Sequence, residues 1–77
     1  MTSEQLNTAL YEKLYAEQEK FKSMLRSSSP DVIMLHAYEL VMREDILLSL
    51  EENDLTPKQC KALLKQKEPL TIFLSKS

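Results

Sequence analysis

The sequence contains no glycine and no tryptophan, and only one cysteine and one histidine occur among its 77 residues. Without glycine, the chain cannot form the glycine-rich loops that bind phosphate in P-loop, dinucleotide-binding and kinase folds. One cysteine and one histidine cannot build a cysteine–histidine zinc site or a disulfide framework. These absences exclude the commonest nucleotide-binding and zinc-binding motifs, and we expect no cofactor and no metal.

Long hydrophobic runs are missing as well. The longest unbroken apolar run covers only residues 32–35, whereas a membrane span needs about 18 apolar residues. The amino terminus lacks the basic start and apolar centre of a secretory signal, and a single thiol is typical of a reducing compartment. Length and composition therefore predict a single cytoplasmic domain over residues 1–77, without membrane contact.

What the sequence does have is helical periodicity, interrupted by three prolines. A first helix is predicted over about residues 3–26, where leucines and Phe21 recur on one face. Thr2 and Gln5 have the spacing of a capping box at its start. The polar pair 17–18 interrupts the apolar face, so we expect looser packing at that point.

A second helix is predicted over about residues 30–52. Ser29 is suited to the N-cap position, and Pro30 to the first helical position. Because no glycine is available, Asn53 is the expected left-handed residue at the end of this helix. Two helices of equal length with a short connection favour an antiparallel hairpin.

A third, shorter helix is predicted over about residues 57–66, with Thr56 and Gln59 forming a second capping box. Residues 70–74 are too few for periodicity to decide their structure. We interpret them as a short helical turn that docks onto the core, with an edge strand as the alternative. The predicted fold class is therefore all-α.

The second helix has apolar residues on nearly every side, which predicts that most of its surface is buried. The first helix can cover one side and the short third helix another, so apolar surface is left over. A homodimer is the simplest way to bury the remainder. The predicted dimer contacts are Leu14, Phe21, Val32, Leu35, Met42 and Ile46.

Charge is uneven along the chain. Residues 30–56 carry seven acidic side chains and one basic one, whereas residues 57–77 carry one acidic and five basic. The simpler interpretation is that these charges neutralise one another across the turn. The alternative interpretation is that the acidic and the basic side chains form two separate protein-binding patches. The candidate binding residues are Glu51, Glu52, Asp54, Lys58, Lys61 and Lys65. Nucleic-acid binding is not expected, because the net charge is −2 and no arginine or aromatic side chain accompanies the lysines.

His36, Glu39 and Arg43 form a polar island on the second helix, where Glu39 can pair with Arg43. The functional interpretation is a histidine–carboxylate pair in a cleft. The structural interpretation is a hydrogen-bonded cluster that fixes helix register or a dimer interface. We favour the structural one, because no nucleophile or oxyanion donor has been located nearby. Cys60 lies on an apolar face and is interpreted as a small hydrophobe rather than as a nucleophile. No catalytic residue is predicted.

Several short motifs carry a resemblance to a known family. They are LYEKLYAEQEKF at 10–21, HAYE at 36–39, REDIL at 43–47, NDLT at 53–56 and ALL at 62–64. Over about residues 8–74 the chain resembles a family of uncharacterised helical domains from Gram-positive gut bacteria, linked to conjugative elements and phages. The resemblance implies a mobile-element setting and brings no catalytic residue with it. It also marks a block for a shared structural or binding role: Tyr38, Glu39, Arg43 and Asp45.

These observations predict a non-enzymatic protein–protein interaction module of a mobile element or phage, acting as a dimer and binding another protein. One alternative is a small inhibitor of a host defence nuclease, of the anti-CRISPR type, whose acidic segment engages a basic groove. A second alternative is an enzyme with a His36 and Glu39 site. That alternative requires both side chains to be exposed together in a concave site.

Overall fold

The computed structural model describes residues 1–75, and within them the chain forms α-helices and no strand. The helices are α1 (Ser3–Arg26), α2 (Pro30–Glu52), α3 (Pro57–Leu64) and α4 (Pro69–Ser75). The all-α prediction is confirmed, and the tail is a helix rather than an edge strand. The third helix ends at Leu64, about two residues earlier than predicted.

Both predicted capping boxes are present. The Thr2 hydroxyl accepts from the Gln5 amide at 3.1 Å, and the Gln5 side chain accepts from the Thr2 amide at 2.9 Å. Thr56 and Gln59 repeat the arrangement at 3.2 and 3.0 Å. Each box satisfies amide groups that have no partner inside the helix, so both helix starts are fixed by local sequence.

Two details at the ends of α2 differ from the prediction. Asn53 is extended, with φ −134° and ψ 115°, and is not left-handed. Its backbone and side-chain amides both donate to the Ser49 carbonyl, at 2.9 and 3.1 Å, which ends the helix without a left-handed turn. Ser29 occupies the N-cap position, but its side chain makes no capping hydrogen bond.

The core lies where the other three helices meet α1. Tyr11 bonds to Glu51 and Lys22 pairs with Glu44, so α1 and α2 run in opposite directions, as the predicted hairpin requires. Helix α4 contacts both members of this hairpin, whereas α3 packs mainly on α1. The buried residues of the core cluster are Leu6, Leu10, Leu14, Leu47, Cys60 and Leu70.

Most of the predicted dimer contacts are buried or half-buried within the chain, and one is largely exposed. Leu14 is 0% exposed and Ile46 packs against the same core, so Leu14 cannot contact a second chain and that part of the prediction is wrong. The periodicity placed both residues on apolar faces, but it could not tell which faces the chain covers by itself. Phe21, Val32 and Met42 are half-buried, and only Leu35 is largely exposed.

In the described part of the chain, no helix combines the length and the apolar character needed to cross a membrane.

Candidate protein-interaction surface

A row of exposed apolar side chains runs along the side of α2 that the other helices leave uncovered. Leu35 and Tyr38 expose 78% and 76% of their surface. Apolar surface of this kind is unusual on a single chain when it is contiguous. The row is called the outer stripe below, and it consists of Met34, Leu35, Tyr38, Val41 and Leu48.

The spacing of the outer stripe is that of a helix-packing seam. Met34, Tyr38, Val41, Asp45 and Leu48 follow one another in alternating steps of four and three residues. Such steps place side chains on one line along a helix, as in the seam of a coiled coil. At 1.5 Å of rise per residue, the line is about 21 Å long. Its shape therefore matches another helix.

Acidic side chains accompany the outer stripe. Asp31, Asp45 and Glu52 are exposed on α2. Within residues 1–75, none of these three carboxylates joins an ion pair or a side-chain hydrogen bond. The only basic residue of α2 is Arg43, which is 7% exposed and packs inward. The uncovered side of α2 is therefore apolar and negatively charged.

The inward side of α2 holds a buried junction around Arg43. Its guanidinium lies 4.3 Å from the Phe21 ring centre and 3.5 Å from the Glu17 carboxylate. Glu17 in turn accepts from the amides of Leu70 and Thr71, at 2.8 and 3.0 Å, and from the Thr71 hydroxyl at 2.7 Å. Glu17 therefore caps the start of α4 from a different helix, and the predicted binding residue Arg43 is 7% exposed within this junction.

The predicted looser packing at residues 17–18 is wrong. Gln18 is 1% exposed, and its side-chain amide donates to Glu44 at 2.9 Å. Lys22 also pairs with Glu44 at 2.9 Å. The bonds from Lys22 and then Gln18 lower the pKa of the Glu44 carboxyl. Polar side chains thus join α1 to α2 at the point where the apolar periodicity fails, and only the spatial arrangement reveals their partners.

His36 and Glu39 lie near each other but do not line the adjacent cleft. The His36 ring meets the Phe21 ring edge-on at 6.0 Å, and its Nδ1 lies 3.9 Å from Glu39. Glu39 also lies 3.6 Å from Arg43 Nε, so the predicted pair is present. The neighbouring cleft, of about 380 Å³, has lysines and Arg43 in its wall but neither His36 nor Glu39. This arrangement favours the structural interpretation of the polar island.

The acidic candidates at the end of α2 are in unequal environments. Glu51 accepts a hydrogen bond from the Tyr11 hydroxyl, and this bond raises the pKa of Tyr11 to about 12. Glu52 and Asp54 are exposed. Glu51 therefore has a structural partner within the chain, whereas Glu52 is free to meet another molecule.

The basic candidates Lys58, Lys61 and Lys65 are all exposed around α3. Among the described residues, no ion pair joins these lysines to the acidic patch, so close neutralisation across the turn is not observed. Cys60, on the same helix, is 0% exposed, and burial raises the pKa of its thiol. The interpretation of Cys60 as a core hydrophobe is confirmed, since a buried thiol with a raised pKa is a poor nucleophile.

The sequence prediction found Tyr38, Asp45 and Glu52 on the uncovered side of α2, but missed most of the outer stripe. Met34, Val41 and Leu48 were not singled out. Their alternating spacing was readable, but it was masked because the helix is apolar on nearly every side. No group of three or more histidine, cysteine or acidic residues within 1–75 is placed to hold a metal ion.

No curated protein and no solved structure matches the chain. A family model matches almost all of it, over residues 6–76, and is described as a protein of unknown function. This match agrees with the expected relation to uncharacterised domains. The chain belongs to the family of proteins of unknown function DUF3848.

Proposed function

We propose that this chain is a non-enzymatic protein-interaction module that binds another protein through the outer stripe of α2. The single observation behind the proposal is the exposure of five large apolar side chains along one side of α2, four of them at helix-packing spacing. The cytoplasm and a mobile-element setting are part of the proposal, and they rest on the sequence alone.

The energetics of the outer stripe support a binding role. Burying one large aliphatic side chain contributes about 1.5–3 kcal/mol. The outer stripe therefore holds a substantial binding free energy that the isolated chain leaves unused. Tyr38 lies in the middle of the row and combines apolar area with a polar hydroxyl, which is typical of residues that dominate protein interfaces.

The environments of the reactive side chains also support binding rather than catalysis. Cys60 is buried with a raised thiol pKa. Glu17 and Arg43 are engaged with α4. His36 packs against Phe21 rather than facing the cleft. Of the side chains that the sequence suggested for chemistry, Cys60 therefore lies in the core and His36 packs on the fold.

Two finer expectations from the sequence stand as alternatives to this proposal. A homodimer would cover part of the outer stripe, although of its predicted contacts only Leu35 is largely exposed. Inhibition of a host defence nuclease would use the acidic patch, in which Glu52 and Asp54 are exposed. The nuclease alternative predicts that Glu52→Lys with Asp54→Lys abolishes inhibition while the fold is kept.

Site-specific photo-crosslinking in the native host tests the proposal. A photo-reactive residue is placed at Leu35 or Tyr38, with a matched control at Glu12, an exposed residue of α1. We expect discrete adducts from both α2 positions and none from Glu12. An adduct of about 18 kDa, twice the 9.0 kDa chain, identifies a second copy. Absence of adducts at α2, or the same adducts from Glu12, contradicts the proposal.

A further inference from the structure

We infer that the outer stripe takes an amphipathic helix of a different protein, whose contacting face carries apolar residues with lysine or arginine residues among them. This inference rests on the proposed function and specifies the chemistry of the partner. It follows from three features of α2: the spacing of its apolar residues, the sign of its free charges, and the result of pairing α2 with itself.

The spacing selects a helix as the partner segment. Met34, Tyr38, Val41 and Leu48 lie on one line over about 21 Å, or about four helical turns. A partner helix with apolar residues at the same alternating steps interlocks with this line along its whole length. Leu35 lies on the neighbouring row and widens the contact at the end of the line nearest Met34.

The free charges select a basic helix. Asp31, Asp45 and Glu52 are distributed along the length of the stripe, near its start, middle and end. They are exposed and join no ion pair among residues 1–75. They lie on the same line as the apolar residues, so lysine or arginine residues within the apolar face of the partner meet these carboxylates. Opposite charges placed across an interface set partner choice and orientation.

Pairing α2 with itself gives its outer carboxylates no cation partner in either direction, because Arg43 packs inward. In a parallel pair, each residue faces its own copy, so Asp45 meets Asp45 within the seam. In an antiparallel pair with Tyr38 opposite Val41, Asp45 faces Met34. Like charges placed opposite one another oppose association, and a carboxylate placed against an apolar residue loses water without gaining a cation. The charge pattern therefore disfavours a second copy of α2 as the occupant.

Helix α3 of a second copy is basic, but it does not fit the outer stripe either. Helix α3 carries Lys58 and Lys61, with Lys65 directly after it, but its exposed side contains no large apolar residue. Without apolar anchors, α3 cannot fill the line between Met34 and Leu48. Neither α2 nor α3 of a second copy is both apolar and basic on its exposed side, so we assign the partner helix to a different protein.

Two designed helical peptides test the inference. Both carry leucine at the seam positions that meet the apolar residues of α2. At the positions that meet Asp31, Asp45 and Glu52, one peptide carries lysine and the other glutamate. Their dissociation constants for the full chain are measured by fluorescence anisotropy. We expect the basic peptide to bind about tenfold more tightly or better than the acidic one. Because this preference is electrostatic, it should shrink at about 1 M salt.

Two charge variants provide the decisive comparison. Asp45→Lys with Glu52→Lys changes charge on the stripe side, and Glu4→Lys with Glu12→Lys makes the same change on exposed positions of α1. The first pair should abolish or reverse the preference for the basic peptide, and the second should leave it in place. Tyr38→Asp should raise the dissociation constant of the basic peptide at least tenfold and leave the circular dichroism spectrum of the protein unchanged.

Several outcomes overturn the inference. They are equal binding of the two peptides, a preference that survives Asp45→Lys with Glu52→Lys, basic-peptide binding that Tyr38→Asp leaves intact, or no binding of either peptide. Failure of the proposed function is distinguished by the crosslinking experiment. If Leu35 and Tyr38 crosslink to another protein while the peptides show no charge preference, the interaction module stands and the basic-helix partner does not.

Discussion

Removing the Glu17 side chain should destabilise the fold far more than its place in a polar stretch of sequence indicates. Glu17 accepts three hydrogen bonds from the start of α4, at 2.7 to 3.0 Å, and lies 3.5 Å from the buried Arg43. The Glu17→Ala substitution leaves the Leu70 and Thr71 amides without their cap and deprives Arg43 of one of its two carboxylates.

The expected loss follows from these contacts. Loss of a helix N-cap costs about 1 kcal/mol, and loss of a hydrogen-bonded partner of a buried charged group costs about 2 kcal/mol. The free energy of unfolding should therefore fall by about 3 kcal/mol. For a domain of this size, that lowers the melting temperature by more than about 10 °C. Glu17→Gln keeps one acceptor oxygen and should show a smaller loss.

Urea denaturation followed by circular dichroism measures the change in unfolding free energy. Amide hydrogen exchange at Leu70 and Thr71 gives a local measurement, and exchange there should accelerate more than in α3. The matched control is Glu12→Ala, an exposed glutamate of the same helix, which should stay within about 0.5 kcal/mol of the parent. A Glu17→Ala protein that unfolds at the urea concentration of the parent refutes the capping role.

Three further predictions follow from burial and from the shifted pKa values. Leu14→Ala in the core should cost about 3 kcal/mol by urea denaturation, whereas Leu35→Ala on the outer stripe should cost less than about 0.5 kcal/mol; equal losses contradict the assignment of the uncovered face. The pKa of Glu44 is lowered, so its stabilisation is present above about pH 4.5 and is lost as the pH falls through the lowered value. In a plot of the urea midpoint against pH, Lys22→Met should reduce the fall in stability below about pH 4.5. A Lys22→Met protein that loses stability as steeply as the parent in this range contradicts the pairing of Lys22 with Glu44. In an ultraviolet titration of the tyrosines, Glu51→Gln should move the pKa of Tyr11 down from about 12 towards 10, and a pKa that stays near 12 contradicts the assigned bond.

The helices could be predicted from the sequence because their signals are local. Capping boxes at Thr2 and Thr56 and prolines at the first helical positions act within a few residues of one another. The end of α2 was predicted less well. A single side chain can end a helix in more than one way, and Asn53 bonds to Ser49 instead of turning left-handed.

The roles of the polar residues could not be predicted, because their partners are distant in sequence. Glu17 meets Leu70 and Thr71 across 53 and 54 positions, and no periodic pattern records that contact. The outer stripe was hidden for a related reason. Helix α2 is apolar on nearly every side, so its periodicity could not separate the side that α1 and α4 cover from the side that they leave exposed.

The central claim is that the outer stripe of α2 is left free for a different protein. Light-scattering mass of the purified chain at two concentrations tests it most directly, with the Tyr38→Asp variant beside the parent. We predict a mass of 9.0 kDa for both proteins at both concentrations. A parent mass of about 18 kDa, twice the chain mass, that returns to 9.0 kDa in Tyr38→Asp would contradict it, because a second copy would then occupy the stripe.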